Sequence, residues 1–217
     1  MKEPHESNTV FKKQVSNSHY NFEQYMTKKR WSSLWHQVDE SLRCSPVSFL
    51  EIGSGSGILG PILKHYGIQY HSVDIDEKLN PTYVGSVTDL PVADSAYDVV
   101  ACFQVLEHLP YDLFEKGLAE IARVSRKKVI ISLPDVKRLW PYSLYIPKFG
   151  KVLFHICPPE LRKKVHSFDG QHYWEINKYG YELYKIIDAM KKSGLKLERT
   201  YRVLENPFHR FFILKPI

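Results

Sequence analysis

Cysteine is scarce in this chain. Cys44, Cys102 and Cys157 are odd in number, far apart and without a Cys-x-x-Cys pair. That argues against a disulfide framework or a thiolate metal cluster and predicts reduced thiols in a cytoplasmic protein. None of the ten histidines forms a His-x-x-x-His pair beside an acid, so the spacing predicts no metal site. Long apolar runs are also lacking. None approaches the roughly eighteen residues that a membrane span requires. The polar start, Met1-Lys2-Glu3-Pro4-His5-Glu6-Ser7-Asn8, predicts no export signal. No internal repeat is visible. Acidic residues do not dominate either: the formal net charge is +6, a mild bias toward anionic partners.

What is present fits one core. A chain of 217 residues, 43% hydrophobic, suits a single domain with embellishments. Residues 1 to about 18 are polar with little periodicity. From Tyr20 to Arg43 the pattern is helical, with Trp31, Leu34, Trp35, Val38 and Leu42 on one stripe. Strands are predicted at Val47–Ile52, Ile68–Asp74, Thr82–Val84, Tyr97–Phe103 and Lys128–Leu133, with helices at Leu59–Tyr66 and 111–125 between them. After a break, a helix resumes near Lys178. Two final strands follow around Leu195–Val203 and Phe211–Leu214, joined by Glu205-Asn206-Pro207. That last connection is too short for a crossover helix, so the pair must be antiparallel. The expected fold is α/β: a Rossmann-like, seven-stranded, mostly parallel sheet ending in an antiparallel hairpin. The expected organisation is a segment and helix over 1–45, then one domain over 46–217 with an insertion at about 134–176.

The densest signal is Glu51-Ile52-Gly53-Ser54-Gly55-Ser56-Gly57, between a strand and a helix. In a parallel sheet this is where the ligand crevice opens. Glycines let the backbone approach a ligand closely, and the amides with the helix start can receive an anionic group. Two ligand types compete. Gly55-Ser56-Gly57-Ile58-Leu59-Gly60 fits the dinucleotide pattern Gly-x-Gly-x-x-Gly. An acid at Glu51, however, would repel a pyrophosphate and attract a cation. Asp74 closes the second strand 21 residues after Gly53, placed to accept from both hydroxyls of a ribose. Ile75 is placed to lie against an adenine.

Further motifs follow in order: Val84-Gly85-Ser86-Val87-Thr88-Asp89-Leu90-Pro91, Asp94-Ser95-Ala96-Tyr97-Asp98-Val99-Val100, and Gln104-Val105-Leu106-Glu107-His108-Leu109. With the glycine loop they resemble the class I S-adenosylmethionine-dependent methyltransferases, most closely the broad group acting on small molecules such as quinone and lipid precursors. The match runs from about Val47 to Pro134. The resemblance implies S-adenosylmethionine as cofactor, with Glu51, Gly53, Ser54, Gly55 and Gly57 around its methionine part and Asp74 on its ribose. It places the backbone near Val87 at the adenine edge and Gln104 beside the transferring methyl. Arg30, on the upstream helix, pairs with the cofactor carboxylate in similar proteins. Many relatives have aspartate at the position of Ser86; here Ser86, or Asp89 nearby, would face the adenine amino group.

Methyl transfer needs alignment, exclusion of water and, for a weak nucleophile, removal of a proton. His108, His166 and His172 are the candidate bases. The insertion, aromatic and basic, carries Lys137, Arg138, Lys148, Lys151, Arg162, Lys163 and Lys164 against Asp135 and Glu160. Its prolines rule out one long helix. A lid on the substrate is the first reading, a small satellite core the second and a peripheral membrane patch the third. The expected acceptor is a small-molecule, glycan or lipid-like compound, anionic in keeping with the basic residues. A nucleic-acid methyltransferase is the main rival, although Phe103-Gln104-Val105-Leu106 stands where base-amino methyltransferases carry an Asn/Asp-Pro-Pro-aromatic motif. A nicotinamide-dependent oxidoreductase is the second rival, opposed by Glu51 and the terminal hairpin. A cofactor-binding module without turnover is the third. Oligomeric state is not written in the sequence.

Overall fold

A computed structural model describes residues 22–159 and 164–217. The expectation for residues 1–18, together with Glu160, Arg162 and Lys163, falls outside them. In chain order the elements are α1 (Phe22–Tyr25), α2 (Lys28–Arg43), β1 (Ser48–Ile52), α3 (Leu59–His65), β2 (Gln69–Asp74), β3 (Tyr83–Val84), β4 (Tyr97–Phe103), α4 (Phe114–Val124), β5 (Ser125–Pro134), β6 (Trp140–Ile146), β7 (Gly150–Ile156), α5 (Leu183–Lys192), β8 (Leu195–Arg202) and β9 (His209–Pro216). Seven strands form one sheet in the order β3-β2-β1-β4-β5-β9-β8. The first five run parallel. Only β9 is antiparallel to its neighbours β5 and β8. No helix among the described residues is long and apolar enough to cross a membrane.

Every residue of β1 and β4 is buried, because helices cover both sheet faces. Alternation along the strands sends Leu50 and Val100 to one core, with Phe114, Leu118 and Ile121 of α4 and Ile186 of α5. Phe49 and Val99 point to the other, with Leu59 and Leu63 of α3. Burial of each such side chain contributes roughly 1.5–3 kcal/mol.

The stripe expected on α2 is corrected in part by the structure. Trp31 and Trp35 are 50% and 57% exposed, while Ser33, Leu34, Glu40 and Ser41 face inward. Glu40 explains the rotation. Its carboxylate accepts two bonds from Arg199 and one from the Tyr201 hydroxyl, all at 2.7 Å. Leu34, Val38 and Leu42 of the stripe do pack inward, and with this polar anchor on β8, not with the tryptophans, they dock the helix on the sheet.

Between β5 and α5 the chain leaves the sheet and returns to the same point. Asp135, fully buried, accepts from Arg210 Nε at 2.7 Å and Asn177 Nδ2 at 2.8 Å, and its backbone bridges to Ile176. Arg202 donates to its carbonyl at 2.9 Å. Trp174, also fully buried, packs edge-on to Phe114 and donates its indole N–H to the Leu109 carbonyl. The excursion is thus clamped where it closes. Within it lies a hairpin, β6 with β7, that forms a sheet of its own. Sequence periodicity did not show it.

Candidate active site

A cavity of about 650 Å³ opens at the carboxyl ends of β1, β2 and β4. The glycine loop forms its floor. Gly53, Gly55 and Gly57 all have positive φ, which side-chain-bearing residues rarely adopt. Gly53 N donates to the Val73 carbonyl at 2.8 Å, holding the turn against β2. A Cβ at Gly53 would lie 2.2 Å from Val105 Cγ2. Val105 is β-branched and stiff, so Gly53→Ala should cost about 1–3 kcal/mol. Thermal melting should show this as a Tm lower by roughly 2–12 °C; an unchanged Tm would mean that the loop is not held as described.

Asp74 ties the loop to β2. Its Oδ2 accepts from Ser54 N at 3.0 Å and Ser54 Oγ at 3.4 Å, and its Oδ1 accepts from Asp76 N at 3.0 Å. Each carboxylate oxygen can accept a second hydrogen bond, and Asp74 lines the cavity. Glu51, only 4% exposed, accepts from the Tyr70 hydroxyl. That contact depends on Gly60, where a Cβ would lie 2.6 Å from the Tyr70 ring. The third glycine of the dinucleotide-like pattern is therefore accounted for by packing.

Burial, reinforced by the charge of Asp74 and opposed by the Tyr70 hydrogen bond, raises the Glu51 pKa from 4.5 to about 8. The folded state then holds a proton that the unfolded chain has lost between those values. Its contribution to stability falls as pH rises through that window. A cation in the cavity would favour the carboxylate and expel the proton. Near pH 7, binding of S-adenosylmethionine should release up to about one proton, and binding of S-adenosylhomocysteine, with its neutral sulfur, fewer. Calorimetry in buffers of different ionisation enthalpy reads this directly, and equal release for the two ligands would contradict it.

Of the other expected cofactor residues, Arg30, Ile75, Ser86, Val87 and Gln104 line the cavity, as do Ser54 and Gly55; Gly57 is exposed beside it. Ile75 is 46% exposed, an aliphatic surface on the cavity wall. Ser86 Oγ accepts from Thr88 N at 3.2 Å and shares a hydrogen bond with Thr88 Oγ1 at 2.9 Å. Asp89 is exposed and does not line the cavity. Gln104 has φ 55, and its Nε2 donates to Ser132 Oγ at 3.2 Å. Arg30 sits over the Tyr25 ring, 3.9 Å from its centroid.

The three candidate bases separate. His108 lines the cavity, and its Nδ1 donates to the Gln171 carbonyl at 3.0 Å. Burial, aided by the charge of His172 and opposed by that carbonyl, lowers its pKa. His172 and His166 do not line the cavity. His172 lies edge-on behind His108, ring centroids 5.1 Å apart, with its Nδ1 3.1 Å from Glu175 Oε1. Burial alone would depress His172, but Glu175, Glu107 and Asp169 outweigh it and raise its pKa. His166 Nε2 meets the His172 carbonyl at 2.9 Å, which makes it a support. Glu107 is fully buried, and neither of its carboxyl oxygens has a hydrogen-bond partner among the described residues. Burial raises its pKa to about 8, opposed by the charge of His172. Glu107, His108 and His172 each bring a ligand-type atom within 4.8 Å of the others, a grouping invisible to local spacing.

His209 on β9 also lines the cavity and was not among the expected residues. It is 4% exposed, and its Nδ1 has no hydrogen-bond partner among the described residues. Burial first, then the charges of Arg30 and His172, lower its pKa to about 3, so the ring is neutral at physiological pH. From the insertion, Phe168, Gly170 and Tyr173 reach the cavity, but no residue of 140–156 does. The hairpin is therefore not the part of the insertion that overlies the site.

Residues 50–133 match the family model described as a methyltransferase domain. No curated protein matches the chain in sequence. Among solved structures, the chain resembles the PH0226 protein from Pyrococcus horikoshii OT3, with 16% identity, 94% of this chain and 97% of that one covered, and a TM-score of 0.62. It also resembles the 1,6-didemethyltoxoflavin-N1-methyltransferase of Burkholderia thailandensis, crystallised with 1,6-didemethyltoxoflavin and S-adenosylhomocysteine: 14% identity, 87% and 77% covered, TM-score 0.57. The magnesium protoporphyrin IX methyltransferase of Synechocystis PCC 6803, with bound S-adenosylmethionine, is similar at 14% identity, 96% and 88% covered, TM-score 0.56.

The chain thus contains a methyltransferase domain over residues 50–133 and has the class I methyltransferase fold. S-adenosylmethionine is the cofactor that such a domain implies. The site fits it. A glycine loop with its backbone turned to the cavity, two carboxylates at adjoining strand ends and the exposed flank of Ile75 suit a ligand that is cationic at one end and an adenosine at the other.

Proposed function

We propose that the chain methylates a small-molecule, glycan or lipid-like acceptor with anionic character, and that the acceptor enters between α2 and the 168–173 strap. The observation that carries this reading is the mixed lining of one cavity. Beside Glu51 and Asp74 it is lined by Tyr25, Arg30, His108, Phe168, Tyr173 and His209. Carboxylates suit the cofactor, and a cation among aromatic rings suits an anionic, partly apolar acceptor.

The cofactor supplies an activated methyl on a sulfonium; the chain's own residues align the acceptor and manage its proton. The Gln171 carbonyl fixes the His108 ring, so that this imidazole can take a proton from an acceptor hydroxyl or amine. His172, held by Glu175, buttresses that ring from behind. Phe168 and Tyr173, their rings 4.6 Å apart, shield the opening from water. Arg30, expected on the cofactor carboxylate, is assigned here to the acceptor instead, because it lines the cavity over the Tyr25 ring and its charge would draw an anion.

The test is to incubate the protein with methyl-labelled cofactor and fractionated cell extract. Label in the small-molecule, glycan or lipid fraction is expected. Label confined to nucleic acid or protein would overturn the acceptor class.

A further inference from the structure

The hairpin β6–β7 has one wholly apolar face, and it is open. Its register pairs Trp140 with Ile156, Tyr142 with Phe154 and Leu144 with Val152. Strand alternation puts these six side chains on the same side, and each is between 39% and 53% exposed. The Tyr142 and Phe154 rings stack at 5.5 Å. His155 on the other side reaches the Leu204 carbonyl at 3.4 Å, and Tyr142 and Phe154 border a small cavity with Leu204 and Glu205. The hairpin thus leans on the β8–β9 turn by one edge while its six apolar side chains stay half exposed. At the tip, Tyr145 is 73% and Phe149 83% exposed. A two-stranded hairpin is marginal alone in water, and a contiguous exposed apolar face of this kind marks an interaction surface.

Charge selects the occupant. From residue 136 to 159 there is no Asp or Glu, while Lys137 and Arg138 stand at the base of the hairpin and Lys148 and Lys151 at its tip. We propose that this hairpin docks on the surface of an anionic lipid bilayer, its apolar face among the upper acyl chains and its lysines among the headgroups. A second copy of the chain would bring the same lysines, Lys148 and Lys151, face to face. Single-stranded RNA would suit the cations and the rings, but Leu144, Val152 and Ile156 offer a base neither a stacking plane nor a hydrogen bond. Acyl chains accept aliphatic and aromatic side chains alike, and Trp and Tyr favour the bilayer interface. The proposal stands apart from the methyl-transfer reading, because the hairpin contributes nothing to the cavity.

The test is flotation of the full chain with phosphatidylcholine vesicles with and without phosphatidylglycerol. Binding is expected to the anionic vesicles, to weaken in high salt, and to be slight on pure phosphatidylcholine. Lys148→Gln with Lys151→Gln should weaken it about tenfold or more, and Leu144→Glu with Val152→Glu should abolish it. An unaltered cooperative melt would show that these variants fold, whether or not cofactor binds. The proposal is overturned if the chain ignores anionic vesicles or if the glutamate pair binds them as the parent does. It is equally overturned if the glutamate pair instead disperses a dimer seen by light scattering, or abolishes a gel shift with single-stranded RNA.

Discussion

Asp74→Ala should weaken binding of S-adenosylhomocysteine by about a hundredfold or more. A hydrogen bond to a charged group contributes about 1.5–3 kcal/mol, and a ribose offers two hydroxyls to this carboxylate. The alanine also frees Ser54 N and Asp76 N, which now end on the Asp74 oxygens, and slackens the glycine loop. Asp74→Asn separates the two effects. The amide oxygen can still accept from the loop, but the charge is gone and one acceptor has become a donor. The asparagine variant should therefore fall between wild type and alanine. Isothermal calorimetry reads all three, and unchanged affinity in the alanine variant would remove Asp74 from the cofactor site.

His108→Ala should reduce turnover by about a hundredfold, the low end for loss of a positioned general base, while cofactor affinity stays within a few-fold of wild type. Among the three candidate histidines, His108 alone touches the cavity, and its lowered pKa keeps the ring neutral and able to accept a proton at neutral pH. The rate should rise with pH as the residual protonated fraction disappears, then level off. His166→Ala and His172→Ala should act through position: a smaller loss of rate, with destabilisation visible in the melt, since His172 holds Glu175 and His166 holds the strap. Turnover unaffected in His108→Ala would mean that the acceptor arrives already deprotonated.

These expectations mix what was readable from sequence with what was not, and the boundary is physical. The glycine loop, Glu51 and Asp74 are legible because a parallel sheet delivers consecutive strand ends to one crevice, so local pattern and tertiary position coincide. The mostly parallel sheet and its terminal antiparallel hairpin follow from strand–helix alternation and the short Glu205-Asn206-Pro207 connection. His209 is not legible. It reaches the cavity only because β9 inserts antiparallel beside β5, where it pairs with Pro134. The hairpin 140–156 escapes notice because its prolines and its apolar residues on both faces blur a period of two. On α2 the stripe held in part: Leu34, Val38 and Leu42 face the core while Trp31 and Trp35 are exposed, and Glu40 with Arg199 adds a polar anchor that the pattern does not show. Glu107, His108 and His172 are brought together across 64 residues by the clamp at Asp135 and Trp174, which no spacing rule encodes.

Direct titration of the protein with S-adenosylhomocysteine, and separately with NADH, tests the central claim most simply. The account predicts heat and one-to-one stoichiometry with the first and none with the second. Silence with S-adenosylhomocysteine, or saturable binding of NADH in its place, would contradict it.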